Sequence, residues 1–278
     1  MSYKNFIPRV WAKEIQHELE RNLVFAEDCN KQFEGEVSKL GDTVKILGVG
    51  KPTITTQVGG DITLTGAEKV ATTSVSMPIE HVSYFDYMIG DIDKLQAKGG
   101  IMEALNVEAT RGLAGEMDML IASMAMSQEA AKFNKGALNT VTKENVLGLI
   151  DNALVELYAN DVKTTDEIVL TVDPKFYMIL KQAYTALDTN NSKMLENGRV
   201  GRYGNVQVKM SNNIAKNTSG NYQIMLRTSK AIAFANPKIH TEPYRPEKSF
   251  ADAVKGFCLY DAKVVRPKEM VVLNCKYE

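Results

Sequence analysis

Along residues 6–28 large apolar side chains return at every fourth position. Trp11, Ile15, Leu19 and Leu23 form the stripe, Val10 widens it, and Lys13, Glu14, Glu18 and Arg21 occupy the opposite face. The spacing predicts an amphipathic helix. Pro8 suits its first turn, where a missing N–H costs nothing. From residue 41 the period changes. Thr43, Thr53, Thr55, Thr56, Thr63, Thr65, Thr72 and Thr73 are strand formers, and Gly59-Gly60-Asp61 is turn chemistry. A strand-like run follows from Val70 to Ile89, broken only by Pro78. The pattern predicts a long two-stranded ribbon, poor in large apolar residues near its tip. An isolated hairpin is marginal in water, so the ribbon must lie on something else, in this chain or another.

After Gly99-Gly100, apolar residues step at three and four: Met102, Leu105, Ala109, Leu113, Met117, Leu120 and Met124. This predicts one helix over 100–127, roughly 40 Å long. Its methionines read as core, since methionine fills irregular gaps. Residues 142–243 alternate helical and strand patterns. Thr142 caps a helix with the face Val146, Leu147, Ile150, Leu154 and Leu157. Glu167 to Val172 is a compact strand, and Asp173-Pro174 opens a second helix. A polar loop from Asp188 to Gly204 leads to strands at Val206–Met210, Tyr222–Leu226 and Ala231–Ala235. Residues 244–278 return to strands at Phe257–Val265 and Val271–Cys275, separated by Arg266-Pro267. The fold class is α+β.

Composition narrows the function. With Lys+Arg 33 and Asp+Glu 34 the net charge is -1, which argues against a strongly basic nucleic-acid binder. Cys29, Cys258 and Cys275 are odd in number and far apart. They read as buried thiols of a reducing cytoplasm, not a disulfide framework or a metal knuckle. No apolar run approaches the length of a membrane span, and the charged start has no signal-peptide core.

The candidate chemical motifs fail one by one. Gly48-Val49-Gly50-Lys51-Pro52-Thr53 has Lys45 where a phosphate loop needs its first glycine and Pro52 where it needs Ser or Thr. The glycines of 198–204 precede a strand pattern, whereas a dinucleotide loop opens a helix. His17-Glu18 has Arg21 where a zinc-protease helix has its second histidine. Asp91 and Asp93 begin like a calcium loop, but Leu95 and Gln96 break it. His81 and His240 have no ligand spacing, and no Gly-x-Ser-x-Gly elbow exists. The expectation is no enzyme, no metal and no cofactor.

The most specific signal is Tyr244-Arg245-Pro246-Glu247-Lys248-Ser249-Phe250-Ala251-Asp252-Ala253-Val254-Lys255-Gly256, followed by Tyr260-Asp261-Ala262-Lys263-Val264-Val265-Arg266-Pro267. It resembles the end of the major capsid proteins of tailed bacteriophages with the Hong Kong 97 fold. Other segments are similar to that family in the same order: Phe6–Trp11 to its N-terminal arm, Gly41–Ile46 and Gly59–Thr63 to its extended loop, and Asp91–Gln96 to the lead-in of its spine helix. Ser211-Asn212-Asn213 and Ala231–Ala235 resemble its apical domain.

The resemblance implies an N-terminal arm over 1–40 and an extended β-ribbon loop with its adjoining strand over 41–90. It further implies a peripheral domain with the spine helix over 91–141, an axial α/β domain over 142–243, and return strands of the peripheral domain over 244–278. It implies a subunit that assembles with itself into pentamers and hexamers of an icosahedral shell around double-stranded DNA. That DNA is touched only weakly and non-specifically. The arm-like residues stand close to Met1, so a separate scaffolding protein is implied, with a portal, and assembly in the host bacterial cytoplasm. No membrane is involved. The residues expected at subunit interfaces are Thr53, Thr55, Gly59, Gly60, Asp61, Thr63 and Lys69 of the ribbon, Trp11 of the arm, and Arg199 and Arg202 of the axial loop. The alternatives are an encapsulin-type nanocompartment shell, which shares the fold, and a cytoplasmic α/β enzyme.

Overall fold

Among the described residues, pairing in the ribbon is confined to its base. In a computed structural model, β1 (Thr43–Val49) runs antiparallel to β2 (Thr72–Pro78), with Thr43 opposite Pro78 and Val49 opposite Thr72. The model describes residues 23–32, 41–49, 72–90, 101–185 and 201–277, with short pieces at 53–56, 58–59, 66–67 and 69–70. Strand alternation points Val44, Ile46 and Met77 inward, where with Ile79 they pack on Ala233, Ala235 and Leu259. The described residues between 49 and 72 carry no strand. The described pairing lies where one face of the ribbon has an apolar bed; Gly60 and Asp61 of the expected turn lie outside the described residues.

The run from Val70 to Ile89 is two strands, not one. Past Pro78 the chain turns, with the Ile79 amide donating to the Asp42 carbonyl and the Glu80 amide to Asp261. It re-enters as β3 (His81–Gly90) in another sheet. The long helix, α1 (Ile101–Ser123), has 23 residues, roughly 35 Å. It ends in a 3-10 turn, Met124–Met126. Its buried face is rotated from the expected stripe. Leu113 and Met117 are buried, but so are Ala114, Ile121, Thr110 and Asp118, while Leu120 and Met124 only flank the core.

The next segment comprises a 3-10 turn (Phe133–Gly136), β4 (Leu138–Val141), α2 (Val146–Ala159), β5 (Ile168–Val172) and α3 (Pro174–Thr185). α3 begins as expected, with the Lys175 amide donating to Asp173 Oδ2 at 3.1 Å. α2 does not. Asn145 is its cap residue, and the Asn145 side chain accepts from the Thr142 amide instead. Then follow β6 (Arg202–Tyr203), β7 (Val206–Met210), β8 (Tyr222–Thr228), β9 (Ile232–Tyr244), β10 (Ala251–Val264) and β11 (Met270–Tyr277). Two larger sheets result, ordered β3-β10-β9 and β4-β11-β8-β5-β7-β6. Residues 244–278 were expected to return whole to the sheet beside the long helix. Only β10 does so; β11 lies inside the six-stranded sheet, antiparallel to β8 and parallel to β4. One face of that sheet packs on α2 and α3 through Ile150, Leu157, Phe176 and Leu180. Met225 and Val272 join the other core, with Met117 and Ile121 of α1.

The helix expected over 6–28 lies outside the described residues as far as 22, and its last part is not helical. Leu23 to Asn30 is a bend and one 3-10 turn, Ala26–Asp28, threaded between α1 and both sheets. Its backbone groups are taken by other partners. The amides of Val24 and Phe25 donate to the Asp118 carboxylate at 2.9 and 3.0 Å. Arg227, fully buried on β8, donates to the carbonyls of Phe25 and Asp28. Lys209 on β7 pairs with Asp28 at 2.8 Å and Glu27 at 2.5 Å. Asn30 exchanges backbone bonds with Ile232 and Phe234 of β9. With its N–H and C=O groups so satisfied, the segment needs no helical ladder. Asp118 is held by opposing effects: burial pushes its carboxyl up, while the donated amides and Arg227 pull it back down.

Gly256 is fixed by packing. It lies opposite Phe85 in the β3–β10 ladder. A Cβ there would sit 2.5 Å from the Phe85 ring and 2.9 Å from the His240 carbonyl, so the aromatic ring occupies the place a side chain would take. Gly256→Ala should therefore lower stability by about 2 kcal/mol through overpacking. Thermal melting checks this, and Gly256→Ala with Phe85→Leu should recover part of the loss.

Candidate assembly surfaces

The sequence-predicted interface residues fall into three groups. Trp11, Gly60, Asp61, Thr63 and Arg199 lie outside the described residues. Thr53, Thr55, Gly59 and Lys69 are exposed on the ribbon beyond its paired base. Arg202 is exposed in the short edge strand β6 of the six-stranded sheet, so Arg202 and the ribbon belong to different sheets. Beside the ribbon threonines stand apolar side chains in open solvent: Ile54 is 87% and Val58 97% exposed.

A second apolar surface lies on β3. This strand is at one end of its sheet, and among the described residues no strand pairs with its outer edge. Alternation sends Ser83, Phe85, Tyr87 and Ile89 toward α1 and leaves Val82, Tyr84 and Met88 outward and exposed. Beyond Met88 the row continues with Phe250, almost fully exposed, whose neighbour Ser249 approaches the Met88 sulfur at 3.9 Å. Asp86 interrupts the row between Tyr84 and Met88 with a polar cluster. The Tyr244 hydroxyl donates to Asp86 at 2.9 Å, and Lys255 pairs with Glu242 at 3.4 Å and covers the Tyr244 ring. Arg245 pairs with Asp252 at 2.9 Å. Between β3 and α1 runs an open groove of about 440 Å³ containing Ser83, Phe85, Gly112 and Glu116. Sequence reading missed this surface. In residues 81–90 both alternating faces carry large apolar residues, so the pattern reads as a strand buried on both sides.

Catalytic or metal chemistry has little to work with. Among the described residues no group of three His, Cys, Asp or Glu side chains could hold a metal ion. His81 contacts Asp261 at 2.9 Å, but Asp261 also accepts the Glu80 and Ala262 amides, a local tie at the root of β3. His240 packs against the Phe257 ring. No helix among the described residues is long and apolar enough to cross a membrane.

No protein-family model matches the chain, and no curated protein does. Solved structures do. A protein of Mycobacterium phage Che8 is 27% identical, with 91% of each chain covered and a TM-score of 0.75. The capsid structure of cyanophage P-SCSP1u is 16% identical over 92% of this chain and 89% of that one, at a TM-score of 0.70. The chain has the fold of a tailed-phage major capsid protein. The mature capsid subunit of bacteriophage PhiM1 shares the fold as well, at 14% identity, a TM-score of 0.66, and coverage of 91% of this chain and 87% of that one. The virus-like particle of Pyrococcus furiosus shares the capsid fold, at 12% identity, a TM-score of 0.63, and coverage of 96% of this chain and 98% of that one.

In this capsid fold the cysteines are free and buried: Cys29 precedes β1, Cys258 is in β10 and Cys275 in β11. Burial pushes the thiols of Cys258 and Cys275 from an ordinary 9.0 up to about 12. The folded chain thus keeps both protonated where the unfolded chain ionises them. Their contribution is complete below pH 9 and lost as pH rises toward 12, at roughly 1.4 kcal/mol per pH unit and thiol. Melting temperature followed from pH 8 to 11 should fall, and Cys258→Ala with Cys275→Ala should flatten the fall. An unchanged slope in the double variant would contradict the assignment. Non-reducing mass spectrometry should find three free thiols.

Proposed function

We propose that the chain is the repeating subunit of an icosahedral shell enclosing double-stranded DNA, built from pentamers and hexamers of itself. A separate scaffolding protein and a portal take part, and the shell forms in the cytoplasm of a bacterial host. The likeness to the Che8 phage protein, over 91% of both chains, carries this reading. The chain's balanced charge supports it: net -1 leaves packaged DNA free to leave, because tight phosphate contacts need excess cationic side chains.

In this reading residues 1–40 are the arm, 41–90 the extended loop and adjoining strand, and 91–141 the region of the spine helix. The axial part is 142–243, and 244–278 supplies the closing strands. The ribbon is the donor and the outer row of β3 the receiver. Ile54 and Val58 are four positions apart, as are Tyr84 and Met88. In extended chain both pairs are about 13 Å apart on one face. A donor and a receiver on different parts of one chain make a heterologous contact, and such contacts close into rings when the rotation allows. Thr53, Thr55, Gly59, Gly60, Asp61, Thr63 and Lys69 belong to the donor. Trp11, Arg199 and Arg202 belong to contacts of the arm and of the ring centre.

A nanocompartment is the second reading, favoured by the Pyrococcus furiosus particle's coverage. Particle contents separate the two: nuclease-protected double-stranded DNA supports the phage shell, and an enclosed folded enzyme overturns it. For the donor role, replacing Thr53 to Lys69 by a short Gly-Ser turn should leave melting within about 1 kcal/mol of the parent, since the described residues among them are all exposed. The same variant should form no shells by sedimentation under assembly conditions. Normal shells would remove the role, and an unfolded subunit would place the ribbon in its own core.

A further inference from the structure

Residues 23–30 tie together parts of the molecule that otherwise belong to separate sheets. They bind Asp118 of α1, Arg227 and Lys209 of the six-stranded sheet, and Ile232 and Phe234 of the three-stranded sheet. We propose that this segment is a strap that detaches and re-seats as a unit while both sheets stay folded.

The chemistry of its anchors favours this. They are hydrogen bonds and ion pairs, and water replaces each partner when the strap leaves, so each bond holds weakly in net terms. The groups left behind gain from opening. Asp118 and Arg227 are buried charges, costly to keep from water, and the Arg227 Nε has no partner among the described residues. The strap has no ladder of its own: Asn30 makes one isolated bridge to Ala233, whereas β10 pairs along its length with both β3 and β9. Against opening stand Leu23, Phe25, Ala26 and Cys29, all buried in the core shared with α1, so the closed form is the ground state. An open strap frees α1 and the two sheets to change their mutual angle with every sheet bond intact. The inference does not depend on what the assembled protein encloses.

The chain carries its own reporter. Cys29 is in the strap, while Cys258 and Cys275 are in β10 and β11, and all three are buried. The experiment is iodoacetamide labelling of the purified full-length protein at pH 8, with rates read at each cysteine by peptide mass spectrometry. Cys29 should react about tenfold or more faster than the other two, as expected of a unit that opens below the global unfolding free energy. Lys209→Met removes the pairs with Glu27 and Asp28 and should raise the Cys29 rate about fivefold, leaving Cys258 and Cys275 unchanged. One common rate for the three thiols overturns the proposal, as does a parallel rise of all three in Lys209→Met or a Cys29 slower than the rest.

Discussion

A carboxylate facing two backbone amides ties the strap to the long helix where the two sheets meet. Asp118 receives the amides of Val24 and Phe25, and Arg227 takes the carbonyls of the same short segment. Each charge offsets part of the other's burial. Removing either would leave its counterpart uncompensated in the core, a far larger loss than the pair itself contributes. The arrangement also fixes geometry. Both carboxylate oxygens must act as acceptors, so the helix that carries Asp118 has one rotation about its axis that fits. The rotated burial of α1, with Ala114 and Ile121 inside, follows from that requirement.

Around this junction the surfaces divide by task. The inner row of β3 and the buried face of α1 close the fold, with Phe85 lying over Gly256. Tyr84 and Met88 in the outer row of β3, and Ile54 and Val58 on the described ribbon beyond Val49, stand exposed. An unpaired edge strand with apolar side chains is a hazard for a monomer. In the proposed shell the same edge is a place for another copy.

Local patterns were legible from the sequence and long-range ones were not. β5, β7 and the start of α3 at Asp173-Pro174 follow from periodicity and capping over a few residues. Of the residues expected at interfaces, Thr53, Thr55, Gly59 and Lys69 are exposed, in a segment that strand-forming threonines and a Gly-Gly turn set apart in the sequence. The strap was misread as helix because its partner, Asp118, is 94 positions away, and the apolar period that ends at Leu23 gives no sign of it. The division of 81–90 from the ribbon was hidden for a similar reason. A proline at 78 reads as an interruption, and only the pairing of β3 with β10, some 160 positions on, makes it the boundary between sheets. Tyr84 and Met88 went unnoticed because apolar residues on both faces of a strand signal burial, not a surface awaiting a partner.

The position of β10 and β11 has a consequence for the order in which the chain is made. β10 lies between β3 and β9, and β11 between β4 and β8. Each interior strand follows in the chain every strand it pairs with. Until β10 is made, β3 and β9 have no common neighbour, and until β11 is made, β4 has no strand partner among the described residues. Pairings across such separations form slowly. A growing chain therefore carries its early strands unpaired for most of their existence, and the apolar row of β3 comes to stand on a finished sheet only late in folding.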